Sequence, residues 1–187
     1  MYLGQRPNVA ICSDLNQSSA LYLVTALFLL PKIIIGGQEL NIYKYDIVFQ
    51  EVPDHIALAF YVCGCPLRCP GCHSPELWTE RTGTVLTINF FKELLVKYQN
   101  QADCVLFMGG EWHSQELVEF LRHARNHNYK TALYTGLYKI PEQLTDHLNF
   151  LKTGPWDPSR GPLGSLTTNQ IFQDLTTGTI LNHLFQR

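Results

Sequence analysis

Between Cys63 and His73 the chain reads CGCPLRCPGCH. Four of its six cysteines stand within ten residues there, among Gly64, Pro66, Pro70 and Gly71. Proline lacks the backbone donor a helix interior needs, and glycine frees the chain for turns, so this stretch cannot be a regular helix. Cysteines this close bridge one another poorly, because a disulfide demands a particular separation of its two Cα atoms. Crowded thiols on irregular backbone suit a metal instead. Reduced thiolates in turn point to a cytoplasmic, reducing compartment.

The remainder of the chain limits the partners. Its 187 residues suit one domain with a real core, and 45% hydrophobic against 16% charged residues is globular composition. The net charge is -2 and no run of Lys or Arg forms a stripe, so no nucleic-acid partner is expected. Ala20–Leu30 (ALYLVTALFLL) is apolar but too short to span a bilayer, so no membrane span is expected either. Residues 1–40 read as an N-terminal extension of uncertain role, and residues 41–187 as the functional domain.

Strand-like and helix-like stretches alternate. Ile56–Val62 (IALAFYV) is a short, wholly apolar run, as expected of a strand covered on both faces. Thr87–Asn100 carries apolar residues at helical spacing. Cys104–Met108 (CVLFM) predicts a second buried strand, and Ser114 a cap for a helix from Gln115 to about Asn126. Lys130–Tyr134 predicts a third strand, Pro141 the first turn of a short helix, and Asn149–Lys152 a fourth strand. Residues 153–169, rich in Gly and Pro, predict a loop. Such alternation implies parallel βαβ units, whose ligands bind at the carboxyl ends of the strands. The cysteine loop, Gly109–Gly110–Glu111, Thr135–Gly136 and Lys152–Thr153–Gly154 all fall at such ends.

Cys65, Cys69 and Cys72 are spaced C-x3-C-x2-C. A zinc site here needs a fourth ligand, with Cys63 or His73 the nearest choices. An iron–sulfur cube takes one protein ligand on each iron, and three cysteines leave one iron open to a substrate. Cys63 reads as a packed thiol or an alternative ligand, and Cys104 as core. Trp78 and Trp112 flank the motifs, either as walls of the site or as plain core.

The C-x3-C-x2-C spacing after a strand, with FMGGE (Phe107–Glu111) after the next, resembles the radical S-adenosylmethionine superfamily. GCPLRCPGCHSPELW (Gly64–Trp78) is similar to the activating enzymes of glycyl-radical proteins. LKTGPWDPSRGPLGSLTTNQ (Leu151–Gln170) is similar to the closing segment of the activators of anaerobic ribonucleoside-triphosphate reductase. The resemblance implies a [4Fe-4S] cluster on Cys65, Cys69 and Cys72, with S-adenosylmethionine chelating the open iron. It implies reductive cleavage to a 5′-deoxyadenosyl radical, which takes a hydrogen atom from a glycine of the reductase. It places Gly109, Gly110 and Glu111 at the methionine ammonium, Lys152 at its carboxylate, Thr135 near the ribose and His73 near the adenine. It further implies a flavodoxin-like or ferredoxin-like electron donor.

The fold expected is an incomplete, open (βα) barrel with a parallel sheet, since a closed eight-unit barrel typically takes about 250 residues. Its open side would admit a glycine presented by a large protein. The competing readings are another radical S-adenosylmethionine enzyme, a silent relative, and a non-catalytic zinc-binding interaction module.

Overall fold

Ala57–Val62 forms a strand (β2) buried on both faces, and its first four residues alternate in size as they alternate in direction. Leu58, Phe60 and Val62 point into a core filled by helices, whereas Ala57 and Ala59 point to the other face. The computed structural model describes residues 39–186, within the unit Gly37–Arg187. Cys12, the apolar run Ala20–Leu30 and nearly all of the expected extension lie outside the described residues.

The other strands are β1 (Glu39–Val48), β3 (Thr84–Thr87), β4 (Cys104–Met108), β5 (Lys130–Tyr134), β6 (Phe150–Thr153), β7 (Ile171–Asp174) and β8 (Thr179–Ile180). They make one eight-stranded sheet in the order β3-β1-β2-β4-β5-β6-β7-β8. The four central strands, β2, β4, β5 and β6, pair in parallel. These are the four strands the sequence predicts, each within a residue or so of its expected bounds. The flanking pairs are antiparallel. The expected α/β class and parallel sheet are therefore present, and the strand pairing is that of an open sheet rather than of a demonstrated (βα) barrel.

Two helices cover one face: α1 (Ile88–Tyr98) and α2 (Ser114–Asn126). The Thr87 hydroxyl accepts the Phe90 N–H at 3.2 Å and so caps α1. Phe91, Leu94 and Leu95 of α1 and Leu117, Phe120 and Leu121 of α2 are buried, and Phe91 meets Phe60 with ring centres 5.1 Å apart. Ser114 is not the cap expected: α2 begins at Ser114 itself, and the serine hydroxyl takes the side-chain amide of Gln143. A one-turn helix, α3 (Glu142–Thr145), follows Pro141 and leads to β6. Among the described residues the opposite face has no helix of this kind. It is closed by Val52, Leu163, Phe172 and Phe185, and against this thin layer the small residues Ala57, Ala59 and Ala132 fit. Among the described residues no helix is long and apolar enough to cross a membrane.

Register fixes the rim. Tyr61, Met108, Tyr134 and Lys152 are Cα partners across the four parallel strands. The ladder continues one step further, with Gly109 N–H donating to Tyr134 O at 2.8 Å and Thr135 N–H to Lys152 O at 2.9 Å. Residues that leave these strands at their carboxyl ends are therefore neighbours, whatever their separation in sequence.

Candidate metal centre

The loop after β2 is wound rather than extended. Arg68 holds φ 45, and Cys72 N–H donates to Cys69 O at 3.1 Å. Cys65 N–H donates to Leu77 O at 2.9 Å, which ties the start of the loop to the short 3-10 turn Pro75–Trp78 that closes it. Cys65, Cys69 and Cys72 consequently line one cavity of about 190 Å³, and all three are free thiols. Ser74 N–H donates to Cys72 Sγ at 3.4 Å. Burial pushes the Cys65 thiol up, and the backbone N–H groups of Leu67 and Arg68 oppose that shift by favouring the thiolate.

The second wall comes from the turn after β4. Gly109 and Gly110 have φ 86 and 104, a left-handed pair that side chains rarely tolerate. A Cβ on Gly109 would lie 2.6 Å from the Trp112 ring, so the turn closes only with glycine there. The chain doubles back and carries Glu111 into the same cavity, where it is 5% exposed. Thr135 donates its hydroxyl proton to Glu111 Oε1 and accepts the Leu137 N–H at 2.9 Å. Glu111 Oε2 is buried without a hydrogen-bond partner among the described residues. Burial pushes the Glu111 carboxyl above the ordinary carboxylate range, against the opposing pull of Thr135 and Lys152.

Lys152, from β6, supplies the positive charge. Its ammonium donates to Gly154 O at 2.9 Å. Burial pushes its pKa down to about 8, although Cys69 and Glu111 both favour the charged form. A partly buried ammonium with unused hydrogens beside a buried carboxylate suits an amphoteric, hydrogen-bonding ligand better than an apolar one.

Seven of the nine residues singled out in the sequence thus line one cavity: Cys65, Cys69, Cys72, Gly109, Glu111, Thr135 and Lys152. Gly110 lies behind it, against Val62. His73 is exposed, and its ring packs on Trp156 at 4.3 Å between centres. The fourth crowded cysteine, Cys63, is fully buried with its Sγ 3.8 Å from Thr82 Oγ1, and burial pushes its thiol up. It is not among the residues that line the cavity. Trp78 and Trp112 are walls of the site, and so is Trp156, which the motifs alone did not single out. The signal that could have found Trp156 is its place four residues beyond Lys152, in the loop leaving the same strand.

The donor set fits an iron–sulfur group: three free thiols on one apolar-walled cavity, with backbone N–H groups already directed at two of the sulfurs. Among the described residues no three His, Cys, Asp or Glu side chains gather at the spacing of ligands to one ion. Fold and site together define an α/β protein that carries a thiol-lined centre at the carboxyl rim of its parallel strands. The family model for a 4Fe-4S single cluster domain matches residues 56–154, just over half the chain, and the chain belongs to that family. The match opens at β2 and closes just past β6, so it takes in the three thiols, Glu111, Thr135 and Lys152. No curated protein matches the chain.

Proposed function

We propose that this chain is a radical S-adenosylmethionine activase: it cleaves S-adenosylmethionine reductively and generates a glycyl radical on an anaerobic ribonucleoside-triphosphate reductase. The observation that carries this reading is the buried, unpartnered Glu111 Oε2 in the same cavity as Cys65, Cys69 and Cys72. An acceptor held out of water without a donor is costly unless a ligand brings one, and an amino-acid ammonium brings such a donor.

When bound, a [4Fe-4S] cluster on three cysteines supplies one electron and one iron free of protein ligands. The chain's own residues supply the rest. Glu111 receives the ammonium through Oε2, while Thr135 keeps Oε1 occupied and the carboxylate fixed. Lys152 offers its remaining ammonium hydrogens to the methionine carboxylate. Met108, Trp112 and Trp156 give apolar walls that keep water from a reactive carbon radical. A substrate glycine would be presented by a large protein, with a flavodoxin-like or ferredoxin-like donor supplying the electron.

The decisive experiment mixes anaerobically reconstituted protein, reductant, S-adenosylmethionine and a candidate reductase. A glycyl-radical signal in electron paramagnetic resonance supports the reading. Cofactor cleavage without that signal would move the substrate to another protein or to a small molecule, and no cleavage at full iron content would end the proposal.

A further inference from the structure

Five buried side-chain nitrogen or oxygen atoms lack a hydrogen-bond partner among the described residues: Nε1 of Trp78, Trp112 and Trp156, Oε2 of Glu111 and Oδ1 of Asn169. Four of them belong to walls of the thiol cavity, and Asn169 lines the hollow on the other side of Trp156. Folded proteins leave few such atoms, and each asks for an explanation. Here all three tryptophans of the chain are involved. An indole N–H is a donor only and finds an acceptor when buried. The occupant of this cavity therefore brings acceptors as well as a donor for Glu111.

Trp156 is the best placed of the three. Its Nε1 lies 3.6 Å from where a Cβ on Gly71 would stand, and Gly71 sits between Cys69 and Cys72. The indole edge thus stands within van der Waals reach of the turn that carries two ligands. Among the described residues no atom accepts its proton. The loop already directs backbone N–H groups at sulfur, that of Ser74 at Cys72 and those of Leu67 and Arg68 at Cys65.

We propose that the Trp156 indole N–H donates to a sulfur of the bound cluster beside the Cys69–Cys72 turn, and so raises the cluster's reduction potential. Reduction adds negative charge to the cluster, and a fixed donor at sulfur stabilises that charge more than it stabilises the oxidised state. Trp156 is then a tuning residue contributed from outside residues 56–154, the part that matches the family. The inference rests on the cluster alone, not on what the cluster acts upon.

Trp156→Phe keeps a ring for His73 to pack on and removes the donor. In the reconstituted full chain, without S-adenosylmethionine or a partner, a redox titration followed by electron paramagnetic resonance should show a more negative potential at unchanged iron content. An unchanged potential at full iron content overturns the proposal. A second measurement does not depend on that variant assembling its cluster. Protein carrying tryptophan labelled with heavy nitrogen in the indole, with Trp78 and Trp112 replaced by Phe, should give a nitrogen hyperfine coupling to the reduced cluster in pulsed spectra. Absence of the coupling overturns the proposal equally. Because neither readout involves turnover, a failed activase assay leaves this inference standing, and its failure leaves the activase assay unaffected.

Discussion

Glu111 has one carboxylate oxygen occupied by Thr135 and one with no partner among the described residues, and this asymmetry is what the proposed role as a receptor for an ammonium rests on. Glu111→Gln keeps the shape and the acceptor but loses the charge. A hydrogen bond to a charged group is worth about 1.5–3 kcal/mol, so S-adenosylmethionine should bind roughly 10–100-fold more weakly. Equilibrium binding to reconstituted protein checks this, with iron content expected to stay the same; unchanged affinity would remove Glu111 from the ligand site.

Lys152 gives a prediction about pH in the cluster-free protein. Its pKa falls from 10.5 to about 8 because the folded state disfavours the charge. Below pH 8 the lysine is protonated in both states and its burial opposes folding. Between 8 and 10.5 the unfolded chain binds more protons, so this lysine's contribution to stability rises with pH. Lys152→Met removes the titration. Relative to the variant, wild type should gain about 3 kcal/mol on going from below pH 8 to above 10.5, read as a difference in urea stability. A difference independent of pH would show that Lys152 is solvated. The places of Glu111 and Lys152 at the carboxyl rim were legible from the sequence, because one follows the glycine turn that closes a strand and the other lies at a strand's end. Their hydrogen bonds were not, since Thr135 reaching Glu111 depends on how two strands far apart in sequence are paired.

At the scale of elements, the site is built by turns that only a few residues permit. Gly110 has φ 104, and a Cβ there would stand 3.2 Å from Val62 Cγ2. Gly110→Ala thus combines an unfavourable backbone region with a tight contact against β2, which together cost about 1–3 kcal/mol. The expected outcome is a lowered urea midpoint and weaker S-adenosylmethionine binding together, because the same turn aims Glu111. Loss of stability with unchanged binding would show that the turn does not set the carboxylate.

The central strands could be read directly because each is a short apolar run closed by glycine or by the cysteine loop. The flanking strands could not. β1 (ELNIYKYDIV) buries Leu40 and Ile42, but the register shifts between Ile42 and Lys44 and the alternation breaks there. β8 has two residues, both exposed, and exists only by pairing with β7. The pattern of such strands comes from their neighbours rather than from their own residues.

Across the whole molecule the parallel strands have two unlike ends. The carboxyl rim holds the thiols, the glycine turn and unpartnered polar atoms. At the amino end Asp103 ties the strands together. The Asp103 carboxylate meets His55 Nδ1 at 2.6 Å and accepts the Ile56 N–H at 3.0 Å. Its backbone N–H donates to Ile56 O, and its backbone oxygen accepts the Lys130 N–H. Asp103 thereby joins the entries of β2, β4 and β5. The five residues of β4 separate it from Gly109, a span of about 20 Å. At that separation, and without shared partners, effects on stability and on the site should be independent. Asp103→Ala removes the contact to His55 and an acceptor for the Ile56 N–H, so about 1 kcal/mol should be lost. Iron content, S-adenosylmethionine affinity and cluster potential should remain those of the wild type. A shift in potential from this substitution would mean that the two ends of the sheet are mechanically coupled, and that the rim is not held by its own turns alone.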